Sequence, residues 1–146
     1  MIPPAPPTGE SQVPITTLQA AGVTLQDLFE HLARELFKQL IDPVEVGAVL
    51  REKVVVEGPN LQRLLQEWIL SLLNLLRIQK MIFGQFQIIY IKTPDAGPCS
   101  LLAEVIGELV DPQRHDFKIP VESLLCQEVR LNKDDQGYHA EILLGD

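Results

Sequence analysis

The chain has 146 residues, the size of one ordinary domain and enough to bury roughly 68% of its unfolded surface. Apolar residues make up 46% of it and aromatics 5%, so the core must be aliphatic, and disordered or collagen-like chains are excluded. Twenty acidic against twelve basic residues give a net charge of −8, which argues against a surface that grips nucleic acid through its phosphates, and no apolar run reaches the ~18 residues of a membrane span.

Five of the eleven prolines fall within the first fourteen residues. Pro3, Pro4, Pro6 and Pro7 remove backbone donors and favour an extended polyproline conformation. Residues 1–12 are therefore read as a flexible tail, with a PxxP ligand role for Pro3–Pro6 as the alternative. The domain proper is expected over 13–146 and begins with a short β-prone run, Val13–Ala20.

After Gly22, Thr24 offers an N-cap and Asp27 a carboxylate three residues on. Leu25, Leu28, Phe29, Leu32, Leu36, Phe37, Leu40 and Ile41 recur at spacings of three and four, the stripe of an amphipathic helix. Asp42-Pro43 ends it, because the residue before proline leaves helical space. Val54-Val55-Val56 predicts a strand over Leu50–Glu57, stopped by Gly58-Pro59. Asn60 caps a second helix whose stripe runs through Leu61, Leu64, Leu65, Trp68, Ile69, Leu72, Leu73 and Leu76. Truncating Leu65 or Leu72 to alanine in a packed core costs about 2–5 kcal/mol.

The remainder reads as strands: Phe83–Ile91, Leu101–Leu109, Val121–Leu131 and Tyr138–Leu144. Pro94–Pro98 and Asn132–Gly137 are the turns between them. Two early helices and a late strand meander predict an α+β domain, an antiparallel sheet with two helices packed on one face.

No glycine-rich phosphate loop, nucleophile elbow or paired-cysteine zinc motif is present. The densest polar cluster runs from Gly107 to His115. In it Glu108, Asp111 and His115 could form an acid–base pair or a partial metal site, or simply a solvated strand end and turn. A zinc site from Cys99, Cys126, His115 and His139 would match no standard spacing. His31 is expected to pack half-buried on the first helix, His139 to face solvent, and Cys126 to be a small core residue. The first ten residues hold no basic residue and no apolar core, so they do not read as a signal peptide. With only two cysteines, a cytoplasmic protein with reduced thiols is expected.

Gly22-Val23-Thr24-Leu25-Gln26-Asp27-Leu28-Phe29 resembles the start of the first helix of the archease family, Gly-x-Thr-Leu-Glu-Glu-Leu-Phe. Val54–Gly58 leading into Asn60–Ile69 is similar to the family's second strand and Trp-containing helix, and Phe83-Gly84-Gln85-Phe86 to the entry of its next strand. Gly107-Glu108 through Asp111 to His115 resembles the family's Gly-Glu-x-x-Asp-x-x-x-His segment. The matches run in order over residues 22–144.

The resemblance implies an α+β fold and the role of a non-enzymatic accessory protein. In that role it promotes guanylylation and turnover of an RtcB-type RNA ligase in tRNA splicing and RNA repair. The partner would be the ligase itself, which an acidic surface suits, with no direct contact to nucleic acid or membrane. Family members hold a divalent cation, calcium or manganese, and here the resemblance exposes departures. One ligand position, an aspartate about seven residues before Gly22, holds Ile15. The penultimate aspartate is Gly145, which leaves Asp146 as the candidate metal ligand. A basic position in the strand after the histidine segment falls on Glu122. Hard cations want several oxygen ligands, so cation binding is expected to be weak or lost.

Overall fold

The computed structural model describes residues 14–42, 45–122 and 124–145. The proposed proline-rich tail, Val13 and Asp146 lie outside them. The elements are β1 (Pro14–Gly22), α1 (Leu25–Leu40), β2 (Leu50–Gly58), α2 (Leu61–Gln79), β3 (Met81–Lys92), β4 (Cys99–Leu109), β5 (Leu125–Asp134) and β6 (Gly137–Gly145).

Both helices start where their caps stand. The Thr24 side chain accepts the Asp27 backbone N–H at 3.1 Å and the Asn60 side chain accepts that of Arg63 at 2.9 Å, each satisfying an otherwise unpaired amide of the first turn. Helix α1 stops at Leu40, two residues ahead of Asp42, because its end is taken over by a later segment. Ile41 bridges to Phe117, the Lys118 backbone N–H donates to Leu40 O, and Lys118 Nζ donates to Lys38 O. Helix α2 ends on Lys80, which adopts the left-handed conformation at φ 56° as its C-cap.

The fold is α+β with antiparallel strands, and the strands divide into two three-stranded sheets, β1-β6-β5 and β2-β4-β3. Alternation along a strand reports which residues share a face and says nothing about which strand lies alongside, so this division is invisible in the sequence. Helix α1 carries the chain from β1 to the second sheet, and the segment between β4 and β5 brings it back. Each helix packs against strands of both sheets, α1 on β1 and β3, α2 on β2 and β5. Thus the inner faces of both sheets and the helical stripes share one core.

That core is aliphatic. Leu18, Ile142 and Leu144 from one sheet, Leu101, Ala103 and Val105 from the other, and Leu28, Leu32, Leu36, Leu64, Ile69 and Leu73 of the helical stripes are fully buried, with Leu25 and Leu61 partly buried at the stripes' starts. Leu65 and Leu72 are fully buried, as their expected truncation cost requires. Trp68 is buried outright and donates its indole N–H to Phe29 O of α1 at 3.0 Å, so the one polar atom of that ring is paired. Phe37 stacks on Phe86 and meets Phe83 edge-on where α1 crosses β3.

The two ends of β5 differ most from the sequence reading. Strand β5 begins at Leu125 rather than Val121, because Val121 and Leu124 are joined across a turn just ahead of it. Leu124 N–H reaches Val121 O, and Arg77 of α2 clamps the carbonyls of Leu124 at 2.8 Å and Glu122 at 3.4 Å. Glu122 therefore lies in a turn, outside the strand in which the resemblance would place it. The 132–137 loop is shorter than expected: pairing continues to Asp134↔Gly137, leaving Asp135 and Gln136 as the turn. Gly137 takes φ 130°, and a Cβ there would lie 2.5 Å from Gly22 O.

Candidate functional site: a carboxylate clamp and a terminal strand pair

The polar cluster read from the sequence is assembled at the end of β4. Gly107 permits it. Its Cα faces Phe83 across the β3–β4 ladder, next to a bulge between Phe83 and Gln85, and any Cβ would stand 1.8 Å from Ile82 O. The next residue, Glu108, is only 8% exposed, its carboxylate met by Gly47, Arg114 and His115.

A buried carboxylate needs partners, and Glu108 has them. One oxygen accepts the backbone N–H of Gly47 at 2.6 Å; the other accepts Arg114 Nη1 at 2.7 Å, with Arg114 Nη2 3.4 Å from the first. Arg114 Nη2 also donates to Glu45 O at 3.1 Å. The Gly47 amide first and the Arg114 guanidinium second hold the Glu108 carboxyl below its ordinary range.

His115 is 2% exposed and completes the cluster. The Asp111 backbone N–H donates to its Nδ1 at 2.8 Å, so the ring proton of the neutral imidazole belongs on Nε2, 3.5 Å from Glu108 Oε2. Nε2 makes no hydrogen bond at that separation. The Asp111 carboxylate turns into its own loop, where Oδ1 accepts the Gln113 N–H at 3.0 Å and the Asp111 carbonyl accepts those of Arg114 and His115. Glu108, Asp111 and His115 are therefore neighbours, as the sequence suggested, yet the Asp111 carboxylate does not address the imidazole. The arrangement clamps the 111–118 loop between β4, the 45–47 segment and the end of α1.

Arg114 and Gly47 were not assigned roles from the sequence. Arg114 was legible in principle as a cation six residues from Glu108. Gly47, sixty-one residues away and contributing only an amide, carried no signal.

The cation positions implied by the resemblance lie at the far end of the first sheet. Pro14 pairs with Gly145 and Thr16 with Leu144, so Ile15 is the extra residue of a bulge opposite Gly145. The two positions are thus neighbours across the ladder, and neither residue carries a side-chain oxygen. Asp146 lies outside the described residues. Among the described residues, no three of His, Cys, Asp and Glu gather as a cation-holding group. This end of the sheet does not fit a hard divalent cation on the residues described.

The other singled-out side chains are structural. His31 is exposed rather than half-buried, and its Nδ1–H donates to Ala21 O at 2.7 Å, tying α1 to β1. His139 is half-buried, with Nε2 2.9 Å from Asp134 Oδ2. Cys99 and Cys126 are both free thiols. No helix among the described residues is long and apolar enough to cross a membrane.

Fold and clamp together define a small α+β domain whose polar cluster is closed on itself. The chain belongs to the archease family: the model of the Archease protein family matches residues 16–145. Its relatives include the protein archease of Methanosarcina mazei, 28% identical over 125 residues, covering 86% of this chain and 85% of the relative. The protein archease of Aeropyrum pernix is 26% identical over 125 residues, 86% of each chain. The solution structure of Methanobacterium thermoautotrophicum protein 1598 shares the fold at a TM-score of 0.70, with 20% identity over 88% of this chain and 89% of that one.

Proposed function

We propose that this chain is a non-enzymatic, cytoplasmic accessory protein that promotes the guanylylation and turnover of an RtcB-type RNA ligase. The observation that carries the reading is the family match over residues 16–145, which takes in every described residue except Pro14 and Ile15. A net charge of −8 favours docking on a basic protein partner over contact with RNA. The Asp111 carboxylate is bonded within its own loop and does not address His115, which counts against reading that pair as a general acid–base couple.

A second reading is favoured by the strand pair at Ile15 and Gly145, where the family's carboxylates are replaced. In it the chain is a divergent paralogue that binds partners without a cation and without activating a ligase. Multiple-turnover ligation by the RtcB-type ligase of the same organism separates the two. The first reading expects more joined RNA per ligase when the purified chain is added, with or without a chelator. Unchanged turnover despite stable binding to the ligase would leave the second.

A further inference from the structure

Four strands stand at sheet edges: β1, β5, β2 and β3. An edge exposes unpaired amides and carbonyls and is a template for another strand unless something occupies it. Three of the four are engaged by a helix. His31 of α1 takes Ala21 O of β1, Glu30 of α1 takes the Ile88 N–H of β3 at 3.1 Å, and Gln62 of α2 takes Val129 O of β5 at 2.6 Å. Among the described residues no side chain bonds the backbone of β2, which is nine residues long and paired only with β4.

Two exposed apolar side chains flank this same edge. Val55 is 68% exposed on the outer face of β2, and Ile78 of α2 is 75% exposed. Between them runs a shallow groove of about 270 Å³ lined by Lys53, Val54 and Val55 of the strand and by Ser71, Leu75 and Ile78 of the helix.

We propose that the occupant of this edge is the β2 strand of a second copy of the chain, related by a twofold axis through Val55. The sequence of β2 is self-complementary in that register. A continuous sheet must keep outer residues opposite outer residues, so the axis has to pass through a residue. Centred on Val55, Lys53 faces the partner's Glu57 twice on the outer side, and Val54 faces the partner's Val56 twice on the inner side. Centred on Lys53, two ammonium groups oppose each other; centred on Val54, Arg51 faces the partner's Glu57, but Lys53 then faces the partner's Val55 and the Glu52 carboxylate faces the partner's Val56 on the inner side. Opposite charges and β-branched pairs directly across a ladder are favourable, and like charges are not. The pairing joins two three-stranded sheets into one of six strands and brings the α2 flanks side by side over Ile78. It stands on the strand edge and is independent of the proposed ligase role.

The test is sedimentation equilibrium on the full chain across a concentration series. A monomer–dimer equilibrium is expected. Lys53→Glu, Glu57→Lys and Val55→Glu should each weaken dimerisation about tenfold or more, equivalent to roughly 1.4 kcal/mol. The double variant carrying Lys53→Glu with Glu57→Lys should recover it, because the paired charges are exchanged. All three positions are exposed, and circular dichroism is the check that each variant is folded. A chain that stays monomeric at every concentration overturns the proposal. So does a dimer unmoved by the single changes, or one that the double exchange fails to restore.

Discussion

The Glu108 carboxylate accepts the backbone N–H of Gly47 at 2.6 Å, joining the end of β4 to a segment sixty-one residues earlier. Removing it orphans that amide and strands the Arg114 guanidinium, so Glu108→Ala should lower stability by about 1–3 kcal/mol in urea unfolding. The pH dependence has a definite sign. The folded pKa lies below the ordinary value, so the unfolded chain binds the proton more readily and stability rises with pH. The contribution is complete above the usual carboxylate range and is lost as the pH falls through the depressed folded value. Glu108→Ala should therefore show a shallower loss of stability on acidification than the parent chain; equal slopes would mean the carboxylate is not held by these bonds.

Gly107 sets the distance between β3 and β4. A methyl group at 1.8 Å from Ile82 O has no flexible neighbour to displace, since the obstacle is backbone. Gly107→Ala should cost at least about 3 kcal/mol or prevent folding, beyond the usual range of a single substitution. The check is thermal unfolding followed by the fluorescence of Trp68, the chain's single tryptophan. A stability within experimental error of the parent would show that the strands can separate locally.

Much of this arrangement was legible in advance. The helices announced themselves because a stripe at spacings of three and four and a capping residue at Thr24 or Asn60 are both local signals. The β4 motif was legible for the same reason: Glu108, Asp111 and His115 lie within eight residues, close enough for one turn to gather them. What the sequence withheld is non-local. The partition into two sheets depends on which edges meet, the early end of α1 depends on Lys118, and the delayed start of β5 depends on Arg77. Gly47 contributes a backbone amide, a group every residue but proline possesses, so no pattern could mark it.

The sulfur chemistry should be quiet. Burial first and the neighbouring Glu67 charge second push the Cys126 thiol up to about 11, while Cys99 is buried on β4. The thiolate is the nucleophile, so both cysteines should react with a maleimide or disulfide reagent much more slowly at neutral pH in the folded chain than in urea. Mass spectrometry of the labelled chain reads the rates. Rapid native labelling of Cys126 would contradict its placement.

Calorimetric titration addresses the cation positions. With Ile15 and Gly145 at the positions where the resemblance implies carboxylates, Ca²⁺ and Mn²⁺ should give no saturable binding in the micromolar range. Micromolar affinity for either ion would contradict this. It would mean that Asp146 and its terminal carboxylate suffice, or that the ion is held elsewhere.

The most direct measurement is the guanylylation of the ligase itself. Purified RtcB-type ligase from the same organism is incubated with labelled GTP, with and without this chain, and the covalent ligase–guanylate is quantified over time. If the chain activates the ligase, that intermediate accumulates faster and is regenerated repeatedly when the chain is present. Identical time courses at saturating chain would contradict it.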